Sequence, residues 1–311
     1  MRLLTTMQFS RFCGEIPRGI YHIYSPPDAL SSQRSAAGSR RARPESRVVR
    51  LMLVVLALGI AATLGAYAIR LFTAGGALAA LLVGAAVLLA GGWGLALTLV
   101  GAFASTAVLT RYRRSEKIQP EHRRGRSASQ VLANGIVPAT VAIAGALFDL
   151  SWALPAAVGA IAATTADTWA TEVGLLSRQP PRLITTGAIV PRGRSGGITL
   201  LGTVSGVGGA LFAAVLGRFA VPGPGALGIL APAAGGMAGL LIDSVVGATA
   251  QARYRCPACG EEGEVEACTC GAVRRLVGGW RWMTNDTVNV LGTLTGATVA
   301  MLVALTCLLR T

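Results

Sequence analysis

Residues 226–250 read ALGILAPAAGGMAGLLIDSVVGATA. The run is long enough to cross the hydrocarbon core of a bilayer, which takes about 20 residues of helix. One ionisable group interrupts it, Asp243. A carboxylate deep in a bilayer costs about 2.5–3.5 kcal/mol on insertion scales, so such a residue marks a functional site by default. Gly235, Gly239, Asp243 and Gly247 recur every four residues and share one helix face. That face leaves room beside the carboxylate for a ligand or a neighbouring backbone. A hard cation such as Mg²⁺, which seeks carboxylate oxygen together with phosphate and water, suits Asp243. The competing reading is an interhelical hydrogen bond or ion pair.

Similar apolar runs recur at about 51–69, 74–90, 93–110, 129–148, 152–176, 197–219 and 286–309. None shows the alternating period of a barrel strand, so each must satisfy its backbone as a helix. The predicted fold is all-α, a polytopic membrane helix bundle of seven or eight spans over residues 51–311. Hydrophobic residues make up 52% of the 311 and charged residues 14%, a balance that excludes an ordinary soluble enzyme. GxxxG spacings at Gly202/Gly206, Gly235/Gly239 and Gly292/Gly296 permit close helix approach. Residues 1–50, rich in Arg, Ser and Pro, have no apolar pattern to build a core. They are expected to be a disordered basic tail or the product of a start assigned too early.

Basic residues outnumber acidic ones 28 to 14, and every one except Lys117 is arginine. This excess suits a lipid bilayer surface or a phosphorylated ligand, not nucleic acid. Beyond residues 1–50, most of the charge gathers in three loops, 111–126, 178–194 and 253–281. Two spans separate each loop from the next, so all three fall on one face. The positive-inside rule makes that face cytoplasmic, in the membrane of a prokaryote.

Each loop borders polar motifs. Arg123, Arg124 and Arg126 run into Gln130 and Asn134, which share a helix stripe with Pro138. Asp167 and Glu172 lie near the end of their span but are turned about 140° apart around a straight helix. Either one binds a metal while the other caps or orients, or the helix breaks here. The segment Pro191-Arg192-Gly193-Arg194-Ser195-Gly196-Gly197 opens a long apolar helix. A glycine turn at a helix start points N–H groups at an anion, with Arg182, Arg192 and Arg194 available to neutralise it. The last span starts at Asn285-Asp286, with Asn289 one turn deeper. An N-cap explains the first pair but not Asn289.

Cys256-Pro-Ala-Cys259 and Cys268-Thr-Cys270 supply the ligand count of a structural tetrahedral Zn²⁺ site, a small zinc-ribbon-like loop, with a redox pair or reduced thiols as the alternatives. Glu261, Glu262, Glu264 and Glu266 between them read as a solvated hairpin.

In order, QVLANG at 130–135, ADTWATE at 166–172, PRLITT at 181–186, GRSGG at 193–197, DSVVGAT at 243–249 and NDTVN at 285–289 resemble the integral-membrane family of unknown function ninety-two. That family includes a plant phytyl-phosphate kinase and a vertebrate multi-span membrane protein. The resemblance covers about residues 70–309 and places Arg194 where a small residue is expected. It implies a kinase converting an isoprenoid monophosphate to its diphosphate with a nucleoside triphosphate such as CTP. In that reading Asp167, Asp243 and Glu172 are catalytic, the first two holding Mg²⁺. The implied phosphate and substrate contacts are Arg124, Arg126, Asn134, Arg182, Arg194, Ser195, Gly196, Asp286 and Asn289. The alternative is a transporter of a small anionic or phosphorylated substrate, for which intramembrane carboxylates are equally diagnostic.

Overall fold

The computed structural model describes residues 44–113, 125–221 and 227–308. The helices are α1 (Pro44–Ala68), α2 (Ala74–Arg111), α3 (Ala128–Phe148), α4 (Ala153–Gly174), α5 (Leu200–Leu216), α6 (Leu227–Thr249) and α7 (Asn285–Leu308). Between α4 and α5, β1 (Arg182–Leu183) pairs antiparallel with β2 (Gly197–Ile198). Between α6 and α7, β3 (Arg253–Arg255), β4 (Glu262–Gly263) and β5 (Arg275–Gly278) form a small antiparallel sheet in the order β4-β3-β5. Helix α1 takes in residues 44–50 of the expected tail, and residues 1–43 lie outside the described residues.

Among the described residues five helices are long and apolar enough to cross a membrane, fewer than the seven or eight expected. Of the 25-residue α1, the described side chains cover essentially Ala57–Ala68, a stretch shorter than a span by itself. Helix α4 carries Thr164, Thr165, Asp167, Thr168, Thr171 and Glu172 in its second half, which lowers its hydropathy.

The expected segments 74–90 and 93–110 join in the 38-residue α2. A straight helix of that length would be about 57 Å long. Gly92 interrupts it instead, with φ 75° and ψ −179°, a conformation that only glycine adopts without strain. The two halves fold back on each other. Phe72, just before the helix, stacks on Phe103 with ring centroids 4.8 Å apart, and the Arg111 guanidinium donates to the Ile69 carbonyl.

Helix α4 is the centre of the bundle, packed against α2, α3, α5, α6 and α7 and buried almost continuously from Ala153 to Ala166. Large apolar side chains point outward instead, among them Leu82, Leu89, Leu147, Phe148 and Leu200, as lipid contact requires. Without a hydrophobic drive between helices, association rests on close packing of small residues. A Cβ on Gly296 would lie 2.7 Å from the Gly159 carbonyl oxygen and 2.8 Å from Ala163 Cβ, and one on Gly239 would lie 2.6 Å from the Gly292 carbonyl oxygen. Helices α4, α6 and α7 thus meet backbone to backbone.

Because backbone cannot step aside, Gly296→Leu is expected to destabilise the bundle by about 3 kcal/mol or more, the upper end of overpacking costs. Gly84→Leu is the control, since a Cβ there meets nothing within 4 Å. Thermal melting in detergent distinguishes them: equal midpoints for the two variants would refute the packing argument.

Candidate functional site

The C-terminal ends of α2, α4 and α6 and the N-terminal ends of α3, α5 and α7 surround one cavity of about 1510 Å³. Up-and-down connectivity puts these six ends on the same side, so the segments around 125–127, 181–199 and 251–265 all contribute to the wall.

Two acids from different helices meet there. The carboxyl groups of Asp167 on α4 and Asp243 on α6 are within hydrogen-bonding reach of each other. Two carboxylates this close cannot both stay charged unless a proton or a cation lies between them. All-oxygen donors of this kind fit Mg²⁺. The glycine face of α6 allows the approach: a Cβ on Gly239, one turn before Asp243, would stand 2.4 Å from Ala163 Cβ on α4, one turn before Asp167. Glu172, a turn beyond Asp167, also lines the cavity. Its charge acts on the Arg126 guanidinium.

Arg126 is held from several sides. Its guanidinium donates to Thr106 Oγ1 at 3.1 Å and lies 5.1 Å above the Phe103 ring. Its backbone N–H donates to the Leu71 carbonyl at 2.8 Å. Burial pulls its pKa below the ordinary value and Glu172 opposes that, but a guanidinium stays charged regardless. Arg124, also expected at the site, lies outside the described residues.

Other expected contacts are only partly free for a ligand. Asn134 lines the cavity, but its amide donates to the Gln130 carbonyl at 2.8 Å and accepts from Thr164 Oγ1 at 3.3 Å. Gln130 is spent on a capping box with Ser127. Asp286 and Asn289 line the cavity in the first turns of α7, behind Thr284, whose hydroxyl accepts from the Thr287 N–H at 3.4 Å.

The glycine turn departs from its expected geometry. It does not run straight into a helix, because Gly197–Ile198 first pairs with β1 and Thr199 then caps α5 by accepting from the Gly202 N–H at 3.0 Å. Gly196, at φ 74°, packs so tightly on α6 that a Cβ would collide with Ala248. Arg194 and Ser195 face the cavity. Arg182 does not line it: its exposed guanidinium donates to the Gly187 carbonyl at 2.9 Å and ties the β1 loop together. Arg192 lines the cavity while anchoring the loop to the end of α4, donating to the Ser177 carbonyl at 2.6 Å.

The placement of the four-cysteine hairpin over the cavity is the main feature missed from sequence. Cys256, Cys259, Cys268 and Cys270 bring their sulfur atoms within 4.8 Å of one another, a cluster compatible with a tetrahedral metal site, where Zn–S is about 2.3 Å. The Cys259 N–H beside the Cys256 sulfur pulls the Cys256 thiol down to about 6, towards the thiolate a metal needs. Buried Arg274 crosses the loop, 3.2 Å from Glu261 and donating to the Ala267 carbonyl at 2.8 Å.

The glutamates are not a purely solvated run. Glu261, Glu262 and Glu264 line the cavity. Glu262 lies 3.5 Å from Arg194, and a hydrogen bond from Arg255 holds its carboxyl below the ordinary range. The Ser195 hydroxyl donates to Glu264, whose charge also reaches Asp243. Their two-residue spacing, which puts Glu262 and Glu264 on one side of an extended strand, was the available signal. Gln251 also lines the wall. It extends the four-residue stripe of Gly235, Gly239, Asp243 and Gly247.

A family model described as integral membrane protein DUF92 matches residues 56–297. The chain belongs to this family. An uncharacterised membrane protein of the archaeon Methanocaldococcus jannaschii is 46% identical over 40% of this chain and 50% of its own length. An uncharacterised membrane protein of the cyanobacterium Synechocystis is 30% identical over 68% of this chain and 74% of its own. Protein PGR of Arabidopsis thaliana is 36% identical over 30% of this chain and 36% of its own. The chain thus spans half of the archaeal relative and about a third of the plant one. No solved structure matches. Like the rest of the family, the chain is an integral membrane protein.

Proposed function

We propose that this protein is a membrane phosphotransferase that converts an isoprenoid monophosphate to its diphosphate, using a nucleoside triphosphate such as CTP with Mg²⁺. The observation that carries the reading is the meeting of the Asp167–Asp243 carboxyl pair with Arg126, Arg192 and Arg194 around one cavity. Phosphoryl transfer asks a protein mainly for positioning and charge neutralisation. The cavity exceeds the roughly 300–1,000 Å³ of a single small-ligand site, leaving room for two phosphorylated substrates. Phe103, Met237, Leu240 and Leu241 give its wall an apolar part on which a prenyl chain could lie.

In this reading Asp167 and Asp243 would hold Mg²⁺, which would supply charge neutralisation for the phosphates. The arginines align the two substrates so that a terminal oxygen of the monophosphate attacks the γ-phosphorus. One P–O bond forms, the bond to the β-phosphate bridging oxygen breaks, and the nucleoside diphosphate leaves. Asn134, Asp286 and Asn289 orient the bound groups, Glu172 positions Arg126, and Arg182 serves the loop. The four-cysteine loop holds a structural Zn²⁺. The arginine-rich end of the bundle faces the cytoplasm. The position of the polar wall at helix ends, not at mid-helix, supports an enzyme over a transporter.

The test is the purified chain in nanodiscs, supplied with CTP or ATP, Mg²⁺, and phytyl or geranylgeranyl phosphate. Labelled diphosphate product is expected. Arg194→Met should raise the KM for a phosphorylated substrate by about tenfold or more, as for a lost charged hydrogen bond. Absence of product across the panel from folded protein would overturn the reading.

A further inference from the structure

Gln251 stands out among the cavity residues. It is only 3% exposed, and its Nε2 has no hydrogen-bond partner. A buried donor left unmatched is costly, and this one borders the cavity. Its neighbourhood can be located from Gly247. A Cβ there would lie 3.1 Å from the Gly196 backbone nitrogen, 3.4 Å from Gln251 Oε1 and 3.5 Å from Ser195 Cβ. The amide of Gln251 and the Ser195-Gly196 turn therefore sit around one point. Arg194, the next residue back, has a buried Nε that is also without a partner.

Two buried unmatched donors on neighbouring residues, Gln251 Nε2 and Arg194 Nε, mark a place for an anion. Part of that role is already filled. Glu264 of the four-cysteine hairpin accepts from the Ser195 hydroxyl, and neighbouring Glu262 lies 3.5 Å from Arg194. The carboxylates stand where phosphate oxygens would make the same contacts. Glu264 also brings a third negative charge towards the Asp167–Asp243 pair, which disfavours its position whenever that pair is charged and no cation is bound.

We propose that Gln251, Ser195 and the Gly196 turn form a phosphate subsite whose place is held by Glu264, so that a phosphate group and the hairpin compete for it. Residues 261–264 then act as a tethered acidic plug on the cavity mouth. The proposal rests on the phosphotransferase reading only for the identity of the molecule that carries the phosphate.

Inorganic pyrophosphate, titrated into the full chain in nanodiscs without added Mg²⁺, tests it. Gln251→Leu is expected to weaken binding by about tenfold or more, and Glu264→Gln to tighten it by about three- to tenfold, with unchanged melting for both. Hydrogen exchange at residues 261–265 should accelerate when pyrophosphate binds, because the hairpin is released. Unchanged affinity in Gln251→Leu would overturn the subsite. Weaker binding in Glu264→Gln, or slower exchange in the hairpin, would overturn the competition and make Glu264 a ligand-supporting residue. If Gln251→Leu does not fold, the Glu264 variant and the exchange measurement decide alone. Pyrophosphate binding with these dependences but no diphosphate product would remove the phosphotransferase reading and leave the subsite. Transfer activity together with unaffected pyrophosphate binding in Gln251→Leu would do the reverse.

Discussion

Asp243→Asn is expected to lower phosphoryl transfer by about 10³-fold, the scale on which a preorganised electrostatic group acts at the transition state. The substitution is nearly isosteric, so the glycine face of α6 and its packing on α7 remain. What changes is one negative charge next to Asp167. If the pair holds a cation, the neutral amide is a far weaker ligand, and the Mg²⁺ dependence of the residual rate should move to much higher concentration. Asp167→Asn should do the same. The double variant should be little worse than either single one, because residues that act as a unit are not additive. The alternative is a pair that only shares a proton. In that case an Asn–Asp hydrogen bond replaces the Asp–Asp one, and neither rate nor Mg²⁺ dependence moves. Initial rates across a Mg²⁺ titration separate the two outcomes.

Removing metal from the four-cysteine loop is expected to unfold residues 253–281 while leaving the membrane helices intact. The loop has three strands of two to four residues, too little structure to be stable alone. Structural zinc contributes apparent binding energies of about 10–16 kcal/mol in zinc-finger peptides at neutral pH, and that energy is folding energy. Purified protein should carry about one zinc per chain, the count of a single four-thiolate site. Cys256→Ser with Cys259→Ser, or a strong chelator, should remove it. The loop should then become sensitive to protease, and Ser195 should lose its Glu264 partner. A metal-free preparation with a protected loop would refute a structural metal.

Much of the architecture is legible in the chain. Apolar runs set the helices, because in lipid each segment must satisfy its own backbone hydrogen bonds. Their count and spacing put the arginine loops on one end, where residues 125–127, 181–199 and 251–265 surround the cavity. The exceptions are local: Gly92 turns one long helix into a hairpin, and polar α4 is shielded at the centre of the bundle.

The detail of the site is less legible. Sequence spacing separates Asp167 from Glu172 around one helix but says nothing of Asp243, whose approach depends on packing between α4, α6 and α7. Gln130 reads as part of a polar stripe and Arg182 as a phosphate contact, yet both serve neighbouring backbone. Glu264 reads as a solvated residue, yet the fold of the hairpin carries it to Ser195.

The sequence by itself determined the membrane helices, the end at which polar groups gather and the four-cysteine loop, because these follow from the lengths and local spacing of apolar, charged and cysteine residues. Only the tertiary structure decided that Asp167 meets Asp243, that Gln251 lies unmatched beside the glycine turn and that Glu264 bonds Ser195 of that turn. Those contacts join residues far apart in the chain, and they depend on how closely glycine faces let helices approach and on where the hairpin folds back.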